Sequence, residues 1–219
     1  MLYNRSSFHS SFSLREKFFN LDLILLLSIL LLGIISIFAQ FSSSGGTFDY
    51  YSKSHALRFS IFFLFFLGVS FTPIRFWHSS SFLLFLSLLG MLVFVKFYGV
   101  QSQGSRRWVN LFVINLQPSE LMKISIILFL SNYYHKVSEG DVNKIKYLMY
   151  PVLAIMAPFI LVLTQPDLGT AILILLSGIV VTWLAGVKWK IFAYLSLAAV
   201  ILAPIAISFL KPYQKSRIL

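Results

Sequence analysis

Seven apolar runs, each close to the length of a bilayer-crossing helix, follow one another with only short polar connections between them. They fall at 21–41, 57–74, 80–99, 119–134, 147–164, 168–187 and 190–210. A helix rises 1.5 Å per residue, so about 20 apolar residues cross the hydrocarbon of a membrane. The pattern predicts an all-α, polytopic integral membrane protein with about seven transmembrane helices. Pro73 breaks the second run, Pro151 and Pro158 interrupt the fifth, and Pro204 interrupts the seventh. The connections at 42–56, 100–118 and 135–146 are the longest, and none has room for a soluble domain.

Composition agrees. Of 219 residues, 58% are hydrophobic and 11% charged, where a soluble domain carries about 25% charged residues. The net charge of +11 comes from 18 Lys and Arg against 7 Asp and Glu. These cations sit in short connections, where they orient helices and meet anionic headgroups. No basic stripe is interleaved with exposed aromatics, which argues against nucleic acid as a partner. With no cysteine, disulfides, thiolate catalysis and Cys-ligated metals are excluded. The first 20 residues are Ser-rich and basic, and the run after them is too long for the apolar core of a cleavable signal, so it reads as an uncleaved first span.

Lys and Arg set the orientation. With the N-terminus inside, the inner segments hold Arg5, Arg15, Lys17, Arg75, Lys136, Lys144, Lys146, Lys188 and Lys190. The outer ones hold Lys53, Lys96, Arg106 and Arg107, with Arg58 at a border. The bias predicts a cytoplasmic tail at 1–20, a transmembrane bundle at 21–210 and the start of an extracytoplasmic loop at 211–219. Trp77, Trp108 and Trp189 fall near run ends, as interfacial aromatics do.

Two polar clusters stand out. In QPSELMK, Glu120 and Lys123 are three apart and share a helix face. Pro118 suits the first helical position and Ser119 can cap it, and Glu120 complements the helix dipole. Capping needs only the acid, however, and Lys123 lies one turn deeper in a short run. An ionised side chain in mid-bilayer costs roughly 2.5–3.5 kcal/mol, so the pair points to a polar cavity between helices, where a lysine could bind phosphate. Arg106 and Arg107 precede it and could grip a phosphate by forked hydrogen bonds; headgroup contact or capping of a helix C-terminus would explain them equally. In TQPDLGTA, Pro166 breaks the chain, Asp167 can cap the sixth run, and the tight hairpin should lie on the same side as the arginines. Asp167 could then pair with a basic group or a metal. Asp22 reads as an N-terminal helix charge, Arg58 as a snorkelling cation, and His135, Glu139 and Asp141 as solvated loop residues. No HExxH, phosphate-binding Gly-rich loop or GxSxG elbow is present.

Together GSRRWV, QPSELMKISIILFL and TQPDLGTAILILLSGIVVTWLAGVKWK resemble the SEDS family (shape, elongation, division and sporulation) from residue 21 to the end. LSGIVVTWLAGVKWK is more similar to the rod-shape (RodA) branch than to the division (FtsW) branch. NLFVIN departs from the glycine-containing turn usual after the tryptophan, which leaves the shape of that loop open. The resemblance implies a ten-helix inner-membrane peptidoglycan glycosyltransferase that polymerises lipid II beside a class B penicillin-binding protein, for cell-wall elongation. It implies a polar cavity lined by Glu120 and Lys123 with Asp167 near it, and substrate-binding roles for Arg106, Arg107, Gln117, Glu120, Lys123, Gln165 and Asp167. A divalent cation such as Mg is compatible with that chemistry. The family's catalytic aspartate lies in the large outer loop after the seventh helix. KPYQKSRIL reads as the opening of that loop, so the aspartate is expected beyond Leu219 and the chain reads as truncated before it. A flippase for a lipid-linked precursor, or a non-catalytic scaffold for a penicillin-binding protein, would use the same features.

Overall fold

The computed structural model describes residues 21–102, 105–110 and 115–208. The helices are α1 (Leu23–Ser43), α2 (Tyr50–Phe71), α3 (Ile74–Tyr98), α4 (Pro118–His135), α5 (Ile145–Leu163), α6 (Leu168–Leu184) and α7 (Trp189–Ser208). Between α3 and α4 lie three short strands, β1 (Val100–Ser102), β2 (Ser105–Asn110) and β3 (Asn115–Leu116). Among the described residues seven helices match the seven apolar runs, and the strands are an addition. Four helices, α1, α2, α3 and α5, are long and apolar enough to cross a membrane by length and composition, and α6 is an apolar helix just short of that length. The segments 1–20 and 211–219, assigned above to a tail and a loop, lie outside the described residues, as does the side chain of Pro204.

The chain forms two compact units, one ending at Phe76 and one beginning at Trp77. In the first, α1 and α2 pair closely. A Cβ on Gly33 would fall 1.9 Å from the Phe59 ring, so only glycine lets the helices approach this far. Ser36 Oγ meets His55 Nε2 at 2.9 Å across the same pair. Asp22 accepts from Leu25 N at 3.0 Å and caps α1. Asp49 accepts from Ser52 N at 2.8 Å and caps α2, and that backbone bond holds its carboxyl below the usual carboxylate range. Arg58 turns back onto Ser54, donating to its carbonyl and hydroxyl, which carries its charge toward the helix end.

In the second unit α6 packs along both α5 and α4. Leu92, Met122, Ile126, Leu130, Val162 and Ile174 are fully buried. The outward faces carry exposed Leu, Ile and Phe along every span, the surface expected of helices whose solvent is lipid. Gly178 of α6 sits against Ile155 of α5, and a Cβ there would lie 2.4 Å from Ile155 Cγ1. Close approach through a small residue is how helices associate where lipid supplies no hydrophobic drive.

Pro151 and Pro158 lie inside α5 and are buried. Proline has no N–H, so Pro151 leaves the Tyr147 carbonyl without its helical donor. The Tyr133 hydroxyl of α4 fills that place, donating to Tyr147 O at 2.9 Å. At the same end, Asn143 accepts from Lys188 N at 2.8 Å and donates to Gly186 O. This bond ties the α4–α5 connection to the turn after α6, where Gly186 takes φ +93°.

Gly178→Ala should lower the thermal stability of the chain in detergent by about 1–3 kcal/mol through overpacking. Adding Ile155→Ala should recover part of that loss. A neutral Gly178→Ala would contradict the close approach of α5 and α6.

Candidate functional site

One end of the second unit gathers the polar residues picked out in the sequence: the end of α3, the strands, the start of α4 and the α5–α6 hairpin. Their local structures differ, and this decides what each side chain can do.

Arg106 and Arg107 are neighbours in β2. Successive side chains in a strand point to opposite faces, so the two guanidiniums do not converge. β2 is antiparallel to β1, with Gln101 opposite Arg106 and Val100 opposite Trp108 across a bulge, and antiparallel to β3. Arg106 donates from Nη1 to Phe97 O at 2.7 Å. That carbonyl belongs to the last turn of α3, whose carbonyls lack helical partners, so Arg106 acts as a C-terminal cap.

Arg107 faces the α5–α6 hairpin. Its Nε donates to Gln165 O at 3.2 Å and its Nη2 to Pro166 O at 2.6 Å. Its Nη1 lies 3.6 Å from Asp167 Oδ2. Gln117, just before α4, donates from Nε2 to the same Oδ2 at 3.1 Å. The other oxygen, Oδ1, accepts from Thr170 N at 3.2 Å and caps α6. Gln165 is 5% exposed and donates from Nε2 to Leu92 O of α3 at 2.9 Å. Arg107, Gln117, Gln165 and Asp167 therefore form one closed network joining β2, α3, α4 and the hairpin.

Both oxygens of Asp167 are met by donors, which leaves this carboxylate ill-suited to a divalent cation. No group of three or more His, Cys, Asp or Glu converges among the described residues. The described residues do not fit a Mg site.

Glu120 and Lys123 behave differently. α4 begins with Pro118 at its first position, but its N-cap is Gln117, which makes no side-chain cap bond. Ser119 is buried and does not cap, contrary to the sequence reading: Pro118 fixes the first turn one residue earlier. Lys123 Nζ reaches Glu120 Oε2 at 2.9 Å. The Lys123 side chain is 24% exposed and that of Glu120 53%. The contact uses one of three ammonium donors and one of two carboxylate oxygens. Two concavities formed by described residues lie elsewhere, one between the ends of α4 and α5 and one between α6 and α7, and neither is lined by this pair.

Sequence reasoning missed a third polar group, at the far end of α4. Asn132 Nδ2 donates to His78 O and Ser81 Oγ of α3, both at 2.7 Å, and the His78 and His135 rings meet edge to face at 5.4 Å. The signal was an Asn inside the end of an apolar run, where its amide needs a partner.

A family model described as cell cycle protein, covering FtsW, RodA and SpoVE, matches residues 17–219. The chain belongs to the FtsW/RodA/SpoVE family. It is 32% identical over 170 residues to the probable peptidoglycan glycosyltransferase FtsW of Buchnera aphidicola subsp. Baizongia pistaciae, covering 78% of this chain and 44% of that one. It is 33% identical over 201 residues to the peptidoglycan glycosyltransferase MrdB of Helicobacter pylori strain J99, covering 90% and 51%. The chain thus spans about half the length of the curated relatives it matches. A solved structure of a peptidoglycan synthase complex that coordinates polymerization and crosslinking aligns with TM-score 0.72 at 25% identity, over 88% of this chain and 57% of that one. The rod shape determining protein RodA of Thermus thermophilus shares the fold, with TM-score 0.65 at 22% identity over 81% and 58%. This multi-pass membrane family carries the expected SEDS resemblance through.

Asp167→Ala should cost about 2–4 kcal/mol: a lost N-cap together with Arg107 and Gln117 left under-satisfied. Asp167→Asn, which keeps an acceptor, should cost less. Thermal unfolding in detergent micelles reads both, and a wild-type melting point for Asp167→Ala would show that the network does not hold the hairpin.

Proposed function

We propose that this chain forms the part of a peptidoglycan glycosyltransferase that holds a lipid-linked pyrophosphate at membrane level. In this reading the whole protein polymerises lipid II for cell-wall elongation in a bacterial plasma membrane. Its N-terminus is cytoplasmic, and it works beside a class B penicillin-binding protein. The names of the FtsW and MrdB relatives support the reaction, and the likeness to a synthase complex that couples polymerization with crosslinking supports the partner. The similarity of LSGIVVTWLAGVKWK to the rod-shape branch supports elongation over division.

The observation that carries the site is the Glu120–Lys123 pair, 2.9 Å apart on the first turns of α4 with donors and acceptors to spare. Glycosyl transfer makes a bond to the sugar as a pyrophosphate departs, and the charge developing on that group needs a cation already in place. Lys123 is that cation. Glu120 holds its ammonium in position. The Arg107–Asp167–Gln117–Gln165 network is spent on architecture: it seats the start of α4 against the α5–α6 hairpin. Gln165, Asp167 and the two arginines then serve the substrate through position rather than through contact.

Undecaprenyl pyrophosphate titrated onto the chain in micelles tests this. Losing one charge-assisted contact costs about 1.5–3 kcal/mol, so Lys123→Met should weaken binding roughly 10–100-fold. Glu120→Gln should weaken it less. Unchanged affinity in Lys123→Met would reduce the pair to a helix-end charge. With the whole protein in liposomes, glycan strands made from lipid II support the transferase, whereas translocation without polymer supports the flippase reading.

A further inference from the structure

The opposite end of the second unit holds a cleft that the proposed function does not use. It measures about 260 Å³ and is lined by Tyr133 in the last turn of α4, by Lys136 and Val137 just after it, and by Lys146, Tyr147 and Tyr150 at the start of α5. Its walls are tyrosine rings and lysine stems. Tyr133 and Tyr150 lie 6.1 Å apart between ring centres, and the Tyr133 hydroxyl is fixed by its bond to Tyr147 O. The proline in α5 thus helps hold the cleft in shape. The volume is roughly that of nine waters, enough for a headgroup and the first methylenes of a chain.

The charge at its rim is one-sided. Lys144 is paired with Asp141, a contact that raises the lysine and lowers the carboxyl. Lys136 and Lys146 have no carboxylate within 4 Å among the described residues. The Asn143 bonds bring the α6–α7 turn, with Lys188 and Lys190, to this end. Glu139 is the other acid in the connection, and it is exposed.

We propose that this cleft binds an anionic glycerophospholipid, its phosphodiester held by Lys136 and Lys146 and its first methylenes lying on Tyr147 and Tyr150. Two lysines that line the cleft without a carboxylate partner among the described residues call for an anion, and aromatic walls call for a chain attached to it. A basic pocket between spans at the lysine-rich end matches the known chemistry of lipid headgroup recognition. The chain's own N-terminal tail is a poor occupant, because Arg5, Arg15 and Lys17 outnumber Glu16.

The test adds dioleoyl phosphatidylglycerol, dioleoyl phosphatidylcholine or inorganic phosphate to the chain in micelles and counts retained lipid by native mass spectrometry. A lysine near an anionic surface contributes about 5-fold in affinity. Lys136→Gln with Lys146→Gln should therefore weaken phosphatidylglycerol binding by roughly 25-fold while circular dichroism keeps the wild-type helix signal. Lys188→Gln with Lys190→Gln should weaken it less than 5-fold, and Tyr150→Ala should weaken it without changing charge. The proposal fails if the Lys136/Lys146 variant binds phosphatidylglycerol like wild type, if phosphatidylcholine binds equally well, or if inorganic phosphate displaces the lipid at equal concentration.

Discussion

Asp167 receives Arg107, Gln117 and the Thr170 amide on one carboxylate, and the rest of the site is arranged around that fact. A charge at membrane level is tolerable only when it is paired and hydrogen-bonded. Here the pairing also solves a topological problem. The α5–α6 hairpin lies some fifty to sixty residues along the chain from the strand β2 and the start of α4. Their junction lies where lipid offers no hydrophobic drive for association. One part-buried acid, met by donors from each element, fixes them together.

That arrangement divides labour among residues of similar chemistry. Of the charged groups at this end, Arg106, Arg107 and Asp167 are bonded to backbone or to each other. Among the described residues, Glu120 and Lys123 make only the contact between themselves. A ligand arriving from the membrane would therefore meet the second pair with bonding capacity free. The opposite end follows the same logic. Asp141 absorbs Lys144, Asn143 secures the turn after α6, and Lys136 and Lys146 stay available beside a cleft of tyrosines.

The spans were legible because a 20-residue apolar run has few alternatives in lipid. Asp167 was legible as a cap, and Asp22 as a helix-start charge, because a short acidic side chain before an apolar run has a local job. The strands in 100–118 were not read: they are only two to six residues long, and their signal is weak beside the helices that flank them. Missing them hid the separation of Arg106 from Arg107, since adjacent residues diverge in a strand yet lie within reach of one another in an irregular loop. The Tyr133 bond to Tyr147 O was equally hidden: Pro151 announces a free carbonyl, but only the packing of α4 on α5 names the donor. Nothing local in TQPDLGTA marks Gln165 as a buried donor to α3.

The chain has no cysteine, so single cysteines report accessibility directly. Introduced one at a time at Glu120 and Gln165, in native membranes, they can be challenged with a charged, membrane-impermeant thiol reagent. A site that is open at the acid–base pair and closed at the hairpin predicts fast labelling of Glu120→Cys, slowed by added undecaprenyl pyrophosphate, and little labelling of Gln165→Cys. Equal labelling at both positions, or labelling at Glu120→Cys indifferent to the pyrophosphate, would contradict it.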